Sequence, residues 1–511
     1  MQIKTISFLM IPLALSAFTH LWNPIGFPDF FSDEGVYLRR SIHVLEGLGP
    51  QETETYYDHP FFGQIFLACI LFIIGYPGFL SSSFDIHSIE MLFTVPRILM
   101  GLLALIDTFL IFKITEKQYS YKVAIIASVL FAVMPMSWFT RRILLENIQL
   151  PFLLSSILFA IYSKRSIVTM NKNKKINREL ILVLLSGIFL GLSIFTKIPA
   201  FMMIPLIAFL VMKYTKNRKN MVFWIIPVLL IPNIWPLYSM FVGQFGYWLD
   251  AIKLQSTREG VPLLSTIPVL FHIDPVLMII GAIGLIIAII KKDLFILLYA
   301  IPNFVFIGLI GWNWAPYQLF ITLIPLFCIS GSVLIFDISN RIKIRNMDRL
   351  LPWAIVTTIG IFGLVSTLML ITTNITGGQI QAIKFVLDYL KDNVDETKST
   401  MLVSNPIYSW IFIYPYQMNN LTVLIEVNDF DYETVKTNTI LFISDVESEG
   451  IRTYSQRLQS LYGTTTQVFK VNGIADRFDT TRYPFTSIVV NYESLDPTEV
   501  RVCISTCVHY D

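Results

Sequence analysis

An adjacent pair of carboxylates, Asp33-Glu34, stands in the stretch Phe31-Ser32-Asp33-Glu34-Gly35-Val36-Tyr37, and Tyr56-Tyr57-Asp58-His59-Pro60 follows before the next apolar run. Cations then recur at the ends of later apolar runs. Arg97 follows Val95-Pro96, Thr140-Arg141-Arg142 precedes Glu146, and Lys197 sits in Thr196-Lys197-Ile198-Pro199. A longer polar stretch, 243–275, carries Asp250, Lys253, Arg258, Glu259, His272 and Asp274. In a chain this apolar, ionisable residues are candidates for function by default. A carboxylate can take the proton of an attacking hydroxyl, and cations can neutralise a phosphate leaving group. A lipid phosphate is the anion most naturally available at that depth. The chemistry this set suits is transfer of a group from a phospholipid-like carrier to an acceptor, without ATP. Each residue also has a plainer explanation. Asp33 and Glu34 suit the first turn of a helix, Arg97 can snorkel at an interface, Lys197 can cap a helix, and His272 can be a hydrogen-bonded loop residue.

The elements that position these residues are read from composition. Hydrophobic residues make up 54% of the 511 and charged residues 14%, against about 25% charge in a soluble domain. This excludes a water-facing globular body and points to an α-helical polytopic membrane protein. Crossing about 30 Å of hydrocarbon takes about 20 apolar residues. Such runs fall near 5–22, 61–79, 95–113, 122–139, 148–162, 180–196, 198–213, 221–241, 275–290, 294–311, 316–336 and 352–373. The basic stretches Lys164–Arg178, Lys213–Lys219, Lys291–Lys292 and Arg341–Arg349 are expected on the cytoplasmic side. That orientation is self-consistent only if 61–79 lies interfacially or re-enters, which leaves eleven crossings. The first outer loop is then 23–94, the membrane domain 1–373, and 374–511 a soluble extracytoplasmic domain. In that tail, an amphipathic run at Ile380–Leu390 is followed by apolar runs at Met401–Val403, Leu421–Ile425 and Ile440–Ile443. A helix-like stretch at Gly450–Leu461 and the run Gln467–Val471 come after them. Alternation of this kind predicts a small α/β domain. Asn374-Ile375-Thr376 and Asn420-Leu421-Thr422 are acceptor sequons, compatible with an outside location. The four cysteines form no metal-ligand spacing; Cys503 and Cys507 are the pair that an extracytoplasmic tail would allow to bridge.

Taken together, these residues resemble the GT-C membrane glycosyltransferases that use polyprenyl-phosphate sugars, the protein O-mannosyltransferase and lipid A aminoarabinose transferase superfamily. The resemblance rests on Asp33-Glu34 soon after the first helix, Asp58-His59-Pro60 closing the first loop, and Val95-Pro96-Arg97 opening the next helix. It continues through Arg141 with Glu146, Thr196-Lys197, and Trp314-Ala315-Pro316-Tyr317, covering most of 25–325 in the expected order. It implies that Asp33 is the base, with Glu34 orienting it or binding acceptor and Glu146 as second-loop carboxylate. It further implies Arg97, Arg141, Lys197 and Tyr317 at the carrier phosphate, and Tyr37, Tyr57, Asp58 and His59 at the donor and acceptor site. A divalent metal held by Asp58 and His272 is a further expectation. Departures concern Glu146, where relatives usually carry Asp, and His59, where some carry Lys. The Trp-Trp-Asp sequence of oligosaccharyltransferases is absent at Trp312-Asn313-Trp314, which argues against transfer of a whole glycan to Asn.

The expected function is an inverting membrane glycosyltransferase with a polyprenyl-phosphate sugar as donor. The acceptor is a protein hydroxyl, a lipid or a glycan, and no nucleic-acid partner is expected. The expected location is the cell membrane, multi-pass, with the site and the tail outside. The rival classes are a lipid or small-molecule transporter, for which the mid-span Asp107 is the notable feature, and an inactive scaffold of the same superfamily.

Overall fold

The computed structural model describes residues 3–51, 57–76, 78, 86–163, 172–215, 219–258, 262–310, 312, 316–341, 351–392, 400–404, 406–413, 422–424, 439–444, 467–469 and 498–504. Helices dominate as far as Asp392. They run α1 (Ile3–Leu21), α2 (Ser32–Leu45), α3 (Phe62–Ile73), α4 (Ile86–Gln118), α5 (Tyr121–Val133), α6 (Leu145–Tyr162), α7 (Lys172–Thr196), α8 (Ile204–Tyr214) and α9 (Asn220–Phe241). Next come α10 (Phe245–Ser256), α11 (Leu263–Ile273), α12 (Pro275–Lys291), α13 (Leu294–Ile310), α14 (Ile324–Arg341), α15 (Leu351–Ile371), α16 (Ile375–Asp392) and α17 (Pro406–Ile413). Short 3-10 segments at Pro135–Arg141, Ile198–Met203 and Tyr317–Leu323 precede α6, α8 and α14. Each of the twelve apolar runs holds a helix. The helices α2, α10 and α11 lie in stretches expected to be loops.

Among the described residues, six stretches are long and apolar enough to cross a membrane: His87–Gln118, Leu145–Tyr162, Arg178–Thr196, Asn220–Phe241, Tyr317–Arg341 and Leu351–Asp392. Two bent pairs raise the number to eight if each is one crossing. These are Tyr121–Val133 with Pro135–Arg141, bent by 67°, and Leu263–Ile273 with Pro275–Lys291, bent by 113°. Phe8–Leu21, Phe62–Ile73, Ile198–Tyr214 and Leu294–Ile310 are apolar but shorter. The count falls below the expected eleven because runs that look continuous in sequence are interrupted in the fold. Prolines open the segments at Pro135–Arg141, Ile198–Met203, α8 and α12, and proline cannot donate the backbone bond that would carry a helix through. The 12 residues of α3 extend only about 18 Å at helical rise and end in a turn at Gly75, whose φ is +91°.

The chain divides into two compact units. One comprises Met1–Trp22, His43–Leu67 and Ile98–Leu368; the other comprises Asn23–Ile42, Ala68–Arg97 and Met369–Asp511. The boundary expected at 373 falls inside the second unit, which also takes in parts of the first loop.

In the first unit, close helix approach depends on small residues. Gly187 and Gly191, one turn apart on α7, face α9, where a Cβ would lie 2.4 Å from the Trp224 carbonyl oxygen and 2.6 Å from that of Pro227. Gly284 of α12 meets the Ser330 carbonyl of α14 in the same way, at 2.3 Å. Hydroxyls add polar ties between helices: Ser156 Oγ donates to the Ser186 carbonyl at 2.7 Å and Ser186 Oγ donates to the Ser156 carbonyl at 2.9 Å, joining α6 to α7. Lipid tails are as apolar as leucine, so packing and such bonds, rather than hydrophobic burial, hold helices together in a membrane.

In the second unit, β1 (Thr400–Ser404), β2 (Thr422–Leu424), β3 (Thr439–Ser444), β4 (Gln467–Phe469) and β5 (Thr498–Ile504) form one sheet in the order β2-β1-β3-β5-β4. β1 runs parallel to β2 and β3, while β5 is antiparallel to β3 and β4. The helix α17 lies in the crossover from β1 to β2, as a parallel pair requires. The first four strands coincide with the apolar runs read from the tail. The stretch 450–461 and Cys507 lie outside the described residues.

Substituting Gly191 by Leu is expected to wedge α7 off α9 and cost about 1–3 kcal/mol by overpacking. A lowered thermal midpoint of the detergent-purified protein checks this, with Gly246→Ala, at a position with open space around it, as the neutral comparison.

Candidate active site

The second unit holds Asp33, Glu34, Tyr37 and Arg97. Asp33 and Glu34 occupy the first turn of α2. Glu34 N–H donates to the Phe31 carbonyl at 3.1 Å, and its carboxylate accepts from the Phe31 backbone N–H at 3.3 Å, as the acidic half of a capping box does. That carboxylate is fully buried and grips Arg97, itself 1% exposed. Arg97 Nη2 donates to Oε2 at 2.8 Å and Nε donates to Oε1 at 3.2 Å. The remaining guanidinium donors point at the loop backbone. Nη1 donates to the Pro28 carbonyl at 2.8 Å, the Pro24 carbonyl at 3.2 Å and Thr376 Oγ1 at 3.2 Å, and Nη2 donates to the Asp29 carbonyl at 3.0 Å. Phe30 and Phe93 present their rings to the cation at 5.6 and 5.8 Å, adding an electrostatic attraction to the ring faces. Arg97 therefore has every donor engaged inside the protein. These bonds engage the guanidinium that the sequence assigned to a carrier phosphate, and a buried guanidinium needs all such partners.

Asp33 precedes Glu34 on the same turn. Successive helix residues point about 100° apart, so with Glu34 turned inward Asp33 faces another way, and it is half-buried rather than sealed. Tyr37, one turn on, is 2% exposed, and its carbonyl accepts from Ser41 Oγ at 2.6 Å. Three residues to which the sequence reading gave no role join this group. Thr376 Oγ1 donates to the Pro28 carbonyl, Gln379 Oε1 accepts from Phe30 N–H at 2.7 Å, and Trp410 packs on Phe93 with ring centroids 6.1 Å apart. Only the sequon marked Thr376, and for a different reason.

The first unit holds Arg141, Glu146, Lys197, Tyr317, Tyr57, Asp58, His59 and His272. Lys197, 7% exposed, ends α7 and pairs through Nζ with Glu146 Oε1 on the first turn of α6; Glu146 is 2% exposed. Gln149 Nε2 donates to the Lys197 carbonyl and, at 3.2 Å, to that of Ser193, which fixes the end of α7. Glu146 Oε2 is buried with no hydrogen-bond partner among the described residues. Arg141 donates from Nη1 and Nη2 to the carbonyls of Thr19 and Trp22, the C-terminal end of α1, where a cation meets the negative end of the helix dipole. Both terminal nitrogens of this residue, expected at the carrier phosphate, thus hold backbone carbonyls. Asn147 Nδ2 bonds the Phe139 and Arg142 carbonyls at 2.9 and 2.7 Å. Tyr317 stacks on Phe139 at 4.8 Å and 15°, so it leans on the turn that carries Arg141.

Tyr57 is sealed in an aromatic cluster with Phe61, Phe195 and Trp235, and its hydroxyl donates to Gln244 Oε1 at 2.5 Å. Burial, reinforced by Tyr238, pushes its phenol up to about 12, so it stays a donor. Tyr57 and Asp58 line a cavity of about 320 Å³ with Tyr247 and Asp250 of α10. His59 Nε2 lies 3.8 Å from Asp58 Oδ2. His272 is exposed on α11 and bonds the Pro268 carbonyl of its own helix at 2.7 Å. Among the described residues no three His, Cys, Asp or Glu side chains gather to hold a metal ion. Among the described residues, Asp58 and His272 are not joined by a third such side chain to hold the divalent ion expected there. Tyr56, Glu259 and Trp314-Ala315 lie outside the described residues.

Removing one member of a buried ion pair strands the other and costs about 3–5 kcal/mol. Glu34→Ala is expected to lower stability by that order, and Arg97→Ala by more, because four further acceptors lose their donor. In a double-mutant cycle followed by thermal unfolding, the double variant should lose less than the sum; strict additivity would show the pair to be uncoupled.

The stretch 84–238, which includes Arg97, Arg141, Glu146 and Lys197, matches the family model described as dolichyl-phosphate-mannose-protein mannosyltransferase. No curated protein matches the chain. Among solved structures, the archaeal oligosaccharyltransferase AglB from Archaeoglobus fulgidus, in complex with an inhibitory peptide and a dolichol-phosphate, superposes with a TM-score of 0.52. It is 11% identical, over 89% of this chain and 71% of that one. ArnT from Cupriavidus metallidurans, bound to undecaprenyl phosphate, gives 0.50 at 10% identity over 99% of both chains. At such identities the likeness is one of fold. The stretch 84–238 is thus similar to that mannosyltransferase family, and the fold of the chain is similar to those of AglB and ArnT.

Proposed function

We propose that the protein transfers a sugar from a polyprenyl-phosphate donor to an extracytoplasmic acceptor with inversion at the anomeric carbon. One observation carries the reading: Asp33 is a half-buried carboxylate at the head of α2, beside the buried Glu34–Arg97 pair that fixes this turn, and a carboxylate so placed can act as base. An acceptor hydroxyl oxygen attacks the anomeric carbon as its proton passes to Asp33. The carbon–oxygen bond to the phosphate breaks, and its electron pair leaves with the carrier. The resemblance assigns the carrier phosphate to Lys197, which belongs to the first unit. Glu146 holds its charge in a buried place beforehand, which an ammonium alone would not sustain. The polyprenyl phosphates bound by ArnT and AglB support the donor class.

The topology of this reading has eleven crossings. It takes the eight stretches above together with Phe8–Leu21, Ile198–Tyr214 and Leu294–Ile310, and leaves Phe62–Ile73 interfacial. The N-terminus is then cytoplasmic, and Asp33 and the α/β tail lie outside. The basic stretches Lys164–Arg178, Lys213–Lys219, Lys291–Lys292 and Arg341–Arg349 support that orientation. The absence of Trp-Trp-Asp supports an acceptor other than a sequon asparagine: a protein hydroxyl, a lipid or a glycan.

The test is sugar release from a panel of polyprenyl-phosphate sugars by purified protein. Wild type is expected to consume one donor, and Asp33→Asn to lose on the order of 10²–10⁴-fold of that rate with its thermal midpoint unchanged. Full activity in Asp33→Asn removes it as the base; no turnover of any donor by wild type favours the scaffold or transporter classes. On the same donor, Lys197→Gln should lower kcat/KM and Lys197→Arg should retain part of it, since charge rather than shape is required of it.

A further inference from the structure

We infer that the C-terminal chain is a working part of the base-bearing turn: Thr376, Gln379 and Trp410 position the backbone at 26–35 and, through it, Asp33. This rests on the reading of Asp33 as base. Residues 22–31 contain no helix or strand, so their backbone groups need partners from elsewhere. Those partners come from 371–379. Asn23, in the left-handed region at φ 52°, donates from Nδ2 to the carbonyls of Ile371 and Thr373 at 2.9 and 2.8 Å. Thr376 N–H donates to the Gly26 carbonyl at 3.1 Å, and its hydroxyl holds Pro28 while accepting from Arg97. Gln379 takes the Phe30 N–H. The loop is thus tied at four successive points to one short piece of chain more than 340 residues away.

The helix α17 adds a steric stop. Trp410 is 3% exposed, and a Cβ at Gly35 would lie 2.4 Å from its Nε1. The indole therefore rests directly on the α2 backbone beside Glu34, and Gly35 is a glycine for that reason. The Trp410 N–H has no hydrogen-bond partner among the described residues; an unanswered donor is unfavourable, so shape and the Phe93 contact keep the ring there. Bonds from α16 fix the height of the loop, and the indole of α17 fixes the tilt of the turn that carries Asp33. A purely accessory tail needs neither.

Amide hydrogen exchange of the full-length protein in nanodiscs, followed in peptides covering 26–37, tests this without any donor. Thr376→Val, Gln379→Ala and Gly35→Ala are each expected to speed exchange there by about tenfold or more. Protection in α9 should stay at the wild-type level, and Thr376→Ser should restore it at 26–37. Lys384→Ala, which removes an exposed ion pair with Asp388 on the same helix, is expected to change nothing. With the donor that wild type consumes, Thr376→Val should lower kcat on the order of tenfold to a hundredfold, as misplacement of a base does. Donor KM should stay within about twofold, and Thr376→Ser should recover kcat. Wild-type exchange at 26–37 in both Thr376→Val and Gln379→Ala overturns the proposal, as does faster exchange with kcat unchanged. If Thr376→Val loosens α9 as well, Gln379→Ala decides. If wild type consumes no donor, the failure belongs to the functional reading and the exchange result still stands or falls alone.

Discussion

A guanidinium sealed from solvent imposes a demand that few side chains impose: five donors in a rigid planar fork, each of which must meet an acceptor because its charge has lost its water. Arg97 meets that demand with Glu34, three loop carbonyls and Thr376. The path of the loop follows from this. Pro24, Pro28 and Asp29 turn their carbonyls to one point, α2 starts where Glu34 can reach, and Asp33 is turned aside by helix geometry. Proline serves here twice over, since it offers a carbonyl acceptor without a competing N–H.

The second buried pair, Lys197 with Glu146, follows a different logic. Arg97 has no donor left over, whereas Glu146 keeps one carboxylate oxygen without a partner among the described residues. An ammonium is a compact point charge, and it exchanges one oxygen partner for another more readily than a fork that is bonded on every side. The arginine pair leaves no donor for a ligand, whereas the ammonium of Lys197 has one described partner, Glu146. Two residues that read alike in sequence, cations following apolar runs, are separated by their hydrogen-bond inventories.

The tail shows the same separation at the level of domains. Composition divides the chain at the last long apolar run, because solvent and lipid select different residues. Packing divides it elsewhere: Asn23–Ile42 and Ala68–Arg97 belong with Met369–Asp511. Thr376, Gln379 and Trp410 belong to the segment that composition sets apart, yet they hold the loop at Asp33-Glu34.

The amino-acid sequence by itself pointed to a multi-pass membrane protein, to where its apolar helices lie, and to Asp33, Glu34, Glu146, Arg97, Arg141 and Lys197 as ionisable residues in apolar surroundings. Desolvation makes ionisable residues in apolar surroundings rare enough to be conspicuous. The strands at 400–404 and 439–444 were legible for a related reason, as short apolar runs between polar stretches. Which cation meets which carboxylate was not legible, because Arg97 finds Glu34 across 63 positions and Lys197 finds Glu146 across 51, and no local pattern encodes so distant a partner. The bends at Pro135 and Pro275 were hidden because hydropathy averages over a proline. The tertiary structure alone decided that Arg97 and Arg141 hold backbone, that His272 stands apart on its own helix, and that Gly35 is a seat for Trp410. Each of these depends on where a donor, an acceptor or a ring lies in space, and the order of residues fixes that only through the completed fold.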